Sequence, residues 1–340
     1  MKLKLHPFTL VLNEPFTISR GSYSQRKALF VELLSGDKSG FGEASEHAYY
    51  GVNFDDLQAK AAAIQPIVEG YAFDNPANFW EYMRPHLAGA PFLQCALDEA
   101  AHDLYGKLCD RPCQELWEMP NDGPLPKTSF TLSMDTTENL VEKVKSHRFE
   151  IYKIKLGTSD DLAVLAALRP HTKAVFRVDA NCAWTAEEAV MNSIKMKNLG
   201  VEFMEQPLPA GDWEGMEKVY AGSALPVFAD EACVGEADVG KCASSFHGIN
   251  IKLMKCGGLT PALRMIKQAR TLGLKVMCGC MVESSVGISA IAQLLPLLDY
   301  VDMDGPLFLK NNPARGARIL NDGTIVLPAS PGLGIHFLKA

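Results

Sequence analysis

Charged residues that recur at regular intervals constrain the fold of this chain more than any other feature of its sequence. Six residues belong to the series: Lys153, Lys155, Asp179, Glu205, Asp230 and Lys252. Each lies in or at the end of a short apolar run. From Lys155 onward the spacing is 22–26 residues, the length of one strand plus one helix with its loops. Because charges on buried strands cost free energy unless they converge on a ligand, the series predicts parallel strands that end at one shared site.

The alternation of strand-like and helical patterns from residue 127 onward predicts an α/β fold with a (β/α)₈ barrel. The candidate strands are at 129–133, 152–156, 174–179, 201–205, 227–230, 249–253, 275–280 and 300–303. The helical patterns between them are at 140–146, 160–168, 186–199, 213–221, 236–245, 261–272 and 287–298. Thr185 is placed to cap the third helix, with Glu188 completing a capping box. Pro306 and Pro313 interrupt the stretch after the last strand, so no eighth helix is expected there.

The first third of the chain lacks this alternation, which predicts a separate α+β domain at residues 1–124. Strand patterns come first, at 3–12, 27–34 and 40–44, with a turn at 35–37. Helical patterns follow, at 55–69, 78–87 and 92–108. A turn-rich segment at 119–124 marks the predicted boundary with a barrel domain at 125–310, after which residues 311–340 form a C-terminal tail.

Composition restricts the class of function. Of the 340 residues, 47% are hydrophobic and 21% are charged, which is typical of a globular protein with a sizeable core. The net charge of −7 argues against a nucleic-acid partner, since phosphates require a basic surface. No apolar run reaches the roughly 18 residues that span a bilayer, and His6-Pro7 breaks the N-terminal stretch, so neither a membrane partner nor a secretory signal is expected. Nine scattered cysteines, an odd number, predict reduced thiols in a cytoplasm.

The charges themselves indicate a chemistry. The three acids fall on adjacent predicted strands, about 4.8 Å apart, and such oxygen ligands without His or Cys favour Mg²⁺. Lys155 and Lys252 lie on either side of the acids, and strand alternation gives Lys153 the same facing as Lys155. A cation held against a substrate carboxylate stabilises the dianion formed when an α-proton leaves, and a neutral lysine can act as the base. With one lysine on each face, a proton can leave on one side and return on the other, which inverts a stereocentre.

These ordered motifs resemble those of the enolase superfamily, specifically of its muconate-lactonizing subgroup. The matching segments are Lys153-Ile154-Lys155, Asp179-Ala180-Asn181, Glu205-Gln206-Pro207, Asp230-Glu231, and Lys252 ahead of Gly257-Gly258. The resemblance covers essentially the whole chain and implies a TIM-like barrel with an N-terminal α+β capping domain completed by the C-terminal tail. It implies one Mg²⁺ per subunit, held by the three acids with Asn181 and Glu231 as their neighbours. It also implies catalysis by Lys155 and Lys252, with electrostatic assistance from Lys153.

Asp302-Met303-Asp304, at the eighth predicted strand, resembles the Asp-x-Asp signature of the dipeptide epimerase family within this subgroup. A carboxylate at this place can bind the ammonium group of a dipeptide N-terminus. The resemblance also suggests Thr131 as a substrate contact, although a buried strand threonine fits the sequence nearly as well. Loops near 17–23 and 49–53 are expected to close over the substrate. The family implies a small dipeptide, L-Ala-Xaa, inverted at the α-carbon of its C-terminal residue by 1,1-proton transfer.

One position departs from the family pattern. Relatives specific for Ala-Glu dipeptides carry an arginine in a loop of the first domain, and this chain has Tyr23 at that place. Arg20, Arg26 and Lys27 are nearby candidates for the same role, but a bidentate arginine contact is not easily replaced. Tyr23 therefore makes a small or apolar second residue at least as consistent with the sequence as glutamate.

Other functions share part of this pattern. o-Succinylbenzoate synthase and N-acylamino-acid racemase use the same lysines and metal ligands, but their substrates offer no ammonium group to Asp302 and Asp304. Muconate cycloisomerase is disfavoured for the same reason. A non-catalytic barrel that binds a metal and a peptide would leave both lysines unexplained. The sequence leaves the oligomeric state open, a homo-oligomer included.

Overall fold

The computed structural model describes residues 1–119 and 123–338, so the middle of the turn predicted at 119–124 lies outside the described residues. The first third of the chain begins with an antiparallel sheet of three strands in sequence order: β1 (Lys2–Ile18), β2 (Gly21–Ser35) and β3 (Lys38–Ser45). Four helices follow: α1 (Phe54–Gly70), α2 (Pro76–Met83), α3 (Pro91–Leu108) and α4 (Cys113–Leu116). β1 and β2 are longer than predicted because they continue into a hairpin whose tip lies between Ile18 and Gly21.

α3 packs closely against β3 because two glycines of the strand carry no side chain. A Cβ atom on Gly42 would lie 1.9 Å from the carbonyl oxygen of Ala96, and one on Gly40 would lie 2.1 Å from that of Ala100. The apolar face of α3, which includes Leu97, is buried in the resulting core. Each such buried leucine stabilises the fold by roughly 1.5–3 kcal/mol.

The rest of the chain confirms the predicted parallel barrel. Its strands lie side by side in sequence order: β4 (Phe130–Leu132), β5 (Ile151–Lys155), β6 (Val175–Asp179), β7 (Val201–Glu205), β8 (Val227–Ala229), β9 (Gly248–Ile251), β10 (Lys275–Gly279) and β11 (Tyr300–Asp302). The helices are α5 (Thr137–Ser146), α6 (Asp161–Leu168), α7 (Ala186–Asn198), α8 (Trp213–Gly222), α9 (Glu236–Cys242), α10 (Leu253–Cys256), α11 (Leu259–Thr271) and α12 (Ser285–Ala292). A parallel bridge between Thr128 and Val301 brings the last strand against the residues before the first.

Two charged residues lie just beyond the strands in which the sequence analysis placed them. Asp230 follows β8, and Lys252 follows β9. The chain turns after Ile251 into the short helix α10, which was not predicted and which ends at Gly257 with a φ of 94°. Both side chains nevertheless remain at the carboxyl ends of strands, where barrel active sites lie.

The capping box predicted at Thr185 is confirmed, and the described residues after β11 contain no α-helix, as predicted. The Thr185 hydroxyl accepts a hydrogen bond from Glu188 N at 3.2 Å, and the Glu188 carboxylate accepts one from Thr185 N at 2.8 Å. Through residue 338, β11 is followed by a 3₁₀ turn, Gly305–Phe308, and by no further α-helix. The tail then forms four short strands: β12 (Ala314–Arg315), β13 (Arg318–Ile319), β14 (Ile325–Val326) and β15 (His336–Phe337). The Phe337 ring stacks on Phe41 of β3, with centroids 4.9 Å apart, so the tail lies against the N-terminal sheet.

Among residues 1–119 and 123–338, no helix combines the length and the apolar character needed to cross a membrane. All nine cysteines of the chain lie in these ranges and are free thiols. Five of them are buried, which makes packing their main structural contribution.

Candidate active site

Three carboxylates meet at the carboxyl ends of β6, β7 and β8. Asp179 and Glu205 end their strands and are register partners, and Asp230 follows directly on β8. One oxygen of each carboxylate lies within 4.8 Å of the others, and the three residues are at most 1% exposed. The structure therefore brings the three predicted metal ligands together in one buried cluster, called the acidic triad below.

β5 places two ammonium groups beside the acidic triad, and both line the same pocket. Lys155 Nζ lies 2.6 Å from Asp179 Oδ2. Lys153 Nζ lies 2.8 Å from Glu205 Oε2 and 2.8 Å from Asp302 Oδ2. Burial favours the neutral form of Lys153, but the surrounding carboxylates, Asp302 first, outweigh burial and hold its pKa well above the ordinary value. Lys153 is therefore a fixed positive charge.

Two more lysines approach the triad from the β9 side. Lys252 Nζ lies 2.7 Å from Asp230 Oδ2, which places it across the triad from Lys155 in strand order. Lys255, in α10, has a fully buried side chain whose Nζ lies 2.6 Å from Asp230 Oδ1. The same Nζ donates to the carbonyl oxygens of Asp230 (2.5 Å), Cys233 (2.9 Å) and Asn250 (3.2 Å). Sequence reasoning missed Lys255, although a lysine within the otherwise apolar 253–256 run was a signal.

Asp302 ends β11 and Asp304 follows it, and Lys153 lies between Asp302 and the acidic triad. Asp302 accepts from Lys153 Nζ at 2.8 Å and from the Ser129 hydroxyl at 2.8 Å. Asp304 accepts from the backbone N–H of Thr131 at 2.5 Å. Burial and the charge of Asp302 raise the pKa of Asp304 to about 7. Thr131, Asp302 and Asp304 all line the pocket, so the three predicted substrate contacts are adjacent.

The electrostatics of the triad suit a divalent cation. Burial raises the pKa of Asp179, but Lys155 and Lys153 outweigh it and lower the value to about 2. At Glu205, burial and the charges of Asp179 and Asp230 raise the pKa to about 7 despite Lys153. Among the described residues, no donor is aligned for a hydrogen bond with Glu205 Oε2, although Lys153 Nζ is 2.8 Å away. A buried carboxylate oxygen with spare acceptor capacity, among oxygen-only ligands, fits a hard cation such as Mg²⁺.

Neighbouring polar groups fix the orientation of the triad. Asn250 Nδ2 donates to Glu205 Oε1 at 2.8 Å. Gln206 Oε1 accepts from Asp230 N at 3.0 Å and thereby ties the end of β7 to the end of β8. Asn181 N donates to Asp179 Oδ1 at 2.9 Å, and both Asn181 (φ 47°) and Gln206 (φ 36°) adopt left-handed backbone conformations. Left-handed backbone conformations are uncommon at residues other than glycine, and those that occur are often found at functional sites.

The N-terminal sheet and its loops supply the roof of the pocket. This roof includes Phe16, Ile18, Tyr23, His47 and Tyr50. Most of these side chains are apolar or aromatic, and Arg20 of the β1–β2 hairpin adds a charged group to the lining of the pocket.

The three cations suggested as replacements for the missing family arginine differ in position. Arg20 lines the pocket, but it pairs with Glu231 at 2.7 Å. Arg26 stacks on the ring of Tyr23 at 4.1 Å and donates to the backbone oxygen of Glu46. Lys27 lies over the ring of Phe54. None of the three therefore presents an unshared charge to the pocket within the described part of the chain.

Comparisons with known proteins agree with this geometry. A protein-family model described as Enolase C-terminal domain-like matches residues 135–340. A protein of Maribacter sp. named L-Ala-D/L-amino acid epimerase is 50% identical over 335 residues, which cover 98% of this chain and 99% of the relative.

Solved structures with the same fold are similar over their full length. The substrate-liganded L-Ala-D/L-Glu epimerase from Bacillus subtilis superposes with a TM-score of 0.93 at 26% identity and covers 100% of both chains. The dipeptide epimerase from Enterococcus faecalis V583, complexed with Mg and L-Leu-L-Tyr, superposes with a TM-score of 0.91 at 28% identity and covers 98% of both chains.

Proposed function

Because the chain belongs to the dipeptide epimerase family of the enolase superfamily, we propose that it is a Mg²⁺-dependent epimerase of dipeptides. The reaction inverts the α-carbon of the C-terminal residue of L-Ala-Xaa. The observation that carries the proposal is the placement of the Lys155 and Lys252 ammonium groups on the two flanks of the acidic triad. That arrangement suits removal of a proton on one side of a carbon and its return on the other.

Asp179, Glu205 and Asp230 would hold one Mg²⁺ per subunit. The ion supplies positive charge that stabilises a substrate carboxylate whose negative charge grows as the α-proton leaves. Lys153, kept charged by its carboxylate neighbours, adds to this stabilisation. The relative from Enterococcus faecalis, solved with Mg and a dipeptide, supports the choice of metal.

The Nζ atom of one lysine, Lys155 or Lys252, removes the α-proton of the substrate. The Nζ atom of the other lysine delivers a proton to the opposite face of the same carbon. Burial lowers the pKa of Lys252, and Asp230 at present outweighs burial and raises it. A divalent ion held by Asp230 would offset part of the negative charge that stabilises the Lys252 ammonium, and burial would then favour the neutral amine that a base requires. In each direction one lysine begins neutral and the other charged, and the turnover leaves them reversed.

Asp302 and Asp304 would bind the ammonium group of the dipeptide, with Thr131 beside them. Tyr23 and the apolar roof would face the second side chain. Since no unshared cation was found among the described residues there, a small or apolar second residue fits better than glutamate. The Maribacter relative, named for L-Ala-D/L-amino acid rather than L-Ala-D/L-Glu, supports this choice.

The domain boundaries 1–124, 125–310 and 311–340 are part of the same proposal, with the first and last segments forming the cap. Free thiols support a cytoplasmic location. A small dipeptide is the proposed partner; no nucleic acid or membrane is proposed, and the oligomeric state stays open.

Deuterium incorporation tests the two-base assignment. In D₂O with Mg²⁺, the native enzyme should epimerise L-Ala-Xaa and label the α-carbon in both stereoisomers. Lys252→Ala should abolish epimerisation yet retain exchange with the one stereoisomer that faces Lys155, and Lys155→Ala should retain exchange with the other. Lys60→Ala, at a partly exposed lysine of α1 that does not line the pocket, is the matched control. Undiminished epimerisation by Lys252→Ala would reject the assignment.

A library of L-Ala-Xaa and D-Ala-Xaa dipeptides, with N-acylated versions of the same compounds, identifies the substrate class. The free ammonium form should be strongly preferred, because Asp302 and Asp304 need a cationic partner. Preference for the acylated compounds would favour N-acylamino-acid racemase instead. Binding without any exchange of the α-proton would favour a non-catalytic barrel.

A further inference from the structure

The tip of the β1–β2 hairpin rests on the mouth of the barrel through its backbone. The backbone oxygen of Thr17 accepts a hydrogen bond from Met134 N at 2.8 Å, just after β4. At the end of β5, Gly157 approaches Ser19 so closely that a Cβ atom there would lie 3.1 Å from the Ser19 Cβ. These contacts bring the tip over the carboxyl ends of β4 and β5 but involve no charge.

Arg20, at the tip itself, makes the charged contacts. Its guanidinium donates to the backbone oxygen of Asn181 at 3.1 Å and to Glu231 Oε1 at 2.7 Å. It also lies 4.3 Å from the centroid of the Tyr49 ring, in the segment that follows β3. One side chain therefore joins the hairpin tip and the segment after β3 to the segments that follow β6 and β8.

The partners of Arg20 are close to the acidic triad along the chain. Asn181 comes two residues after Asp179, and Glu231 comes directly after Asp230. The Glu231 side chain is 2% exposed, whereas that of Arg20 is 29% exposed. The guanidinium end of this pair reaches solvent, so water can replace Glu231 as its partner when the pair separates. Such a contact suits a closure that must open at each turnover.

We propose that Arg20 is a latch: a positioning residue that holds the hairpin tip closed over the pocket and does not bind the substrate side chain. The guanidinium already has a carboxylate partner in Glu231, so a substrate carboxylate would have to displace a partly buried, charge-assisted hydrogen bond. The kinetic part of this inference rests on the proposed dipeptide epimerase function, whereas the structural part does not.

Hydrogen–deuterium exchange, followed by mass spectrometry of peptides covering 17–23, tests the structural part without any turnover. Arg20→Met should speed exchange in these peptides about tenfold, as expected from the loss of one charge-assisted hydrogen bond. Glu231→Gln should have a similar effect, and adding it to Arg20→Met should change exchange less than about twofold, because the pair is already broken. Tyr49→Leu, a second variant at a different contact, should give a smaller increase of about two- to fivefold.

Arg84→Met is the matched control, because Arg84 forms an exposed ion pair with Glu81 far from the tip along the chain. It should leave exchange in the 17–23 peptides unchanged. Unchanged exchange in both Arg20→Met and Tyr49→Leu would overturn the latch. Additive effects of Arg20→Met and Glu231→Gln would also overturn it, since the two residues would then act independently.

The kinetic part separates a latch from a substrate-binding role. With a latch, Arg20→Met should raise KM about tenfold for L-Ala-L-Val and for L-Ala-L-Glu alike. A selective loss with L-Ala-L-Glu would show that Arg20 binds the substrate carboxylate and would refute the inference. If the native chain epimerises no dipeptide, the proposed function fails while the exchange experiment still decides the latch.

Discussion

Replacing Glu283 with glutamine should make the protein more stable near pH 8, by a margin that grows as the pH rises from about 4.5 to about 8. Glu283 is fully buried near two other buried carboxyl groups, Glu43 and Glu99. Burial, helped by the charge of Glu43, raises the pKa of Glu283 to about 8, although Lys252 and Arg26 act in the opposite direction. In the folded protein the group therefore carries a proton through neutral pH.

The sign and size of the effect follow from this pKa. In the unfolded chain the group releases its proton near its ordinary pKa of 4.5, so between pH 4.5 and about 8 the folded state binds more protons. Stability then falls as the pH rises through this window. The gap between the two pKa values, at about 1.4 kcal/mol per unit, corresponds to about 5 kcal/mol. Glutamine stays neutral at every pH and escapes this loss.

Urea unfolding of the native chain and of Glu283→Gln, measured at pH 5 and at pH 8, tests the prediction. The difference in unfolding free energy should be small at pH 5 and should favour the variant by several kcal/mol at pH 8. Glu217→Gln, at an exposed position of α8, is the matched control, because it leaves the buried cluster untouched. A difference that stays constant within about 1 kcal/mol between the two pH values would refute a protonated Glu283.

Three further outcomes are expected. Lys255→Met should lower the free energy of unfolding by about 3–5 kcal/mol, because Asp230 and three buried carbonyl oxygens lose the ammonium group that donates to them. A midpoint of thermal unfolding equal to that of Lys60→Met would contradict this expectation. Exhaustive chelation should abolish epimerisation and added Mg²⁺ should restore it, and turnover that survives chelation would remove the metal from the proposal. Asp304→Asn should lower kcat/KM for L-Ala-L-Val about 10- to 100-fold, and an unchanged value would remove Asp304 from substrate binding.

The barrel could be predicted from the sequence because its signal is local and repeated. Buried parallel strands have short apolar sequences. A charged residue within such a sequence is easily recognised as functional, because burying it without a partner or a ligand would cost free energy. Asp179 and Glu205 were placed at strand ends from this pattern alone, and their register in the sheet brings them together. The role predicted for Asp302 and Asp304, in contrast, came from the resemblance to the dipeptide epimerase family and not from this pattern.

The residues that sequence reasoning missed act through contacts between distant segments. Lys255 contacts Asp230 and Cys233 across α10 and the loop after β8, and no spacing rule links these positions. α10 itself was missed because four residues are too few for a helical period, so the strand before it was predicted to run through Leu253. The partner of Arg20 could not be predicted because it depends on the position of the hairpin tip over the barrel. That position is determined by how the N-terminal sheet packs on the barrel.

Two sets of contacts hold the N-terminal domain against the barrel: buried polar contacts of Glu43 and Asp98, and the partly exposed contacts of Arg20. Glu43 accepts from the Ser284 hydroxyl at 2.6 Å and from Gly287 N at the start of α12, and Asp98 accepts from Thr260 N at the start of α11. These buried groups would lose their partners if the whole N-terminal sheet rotated away, and each unpaired group would cost about 1–3 kcal/mol. Opening the hairpin tip breaks the partly exposed contacts of Arg20 and one backbone hydrogen bond, from Met134 N to Thr17 O. Substrate exchange is therefore expected to proceed by movement of the tip while the rest of the sheet stays docked on the barrel.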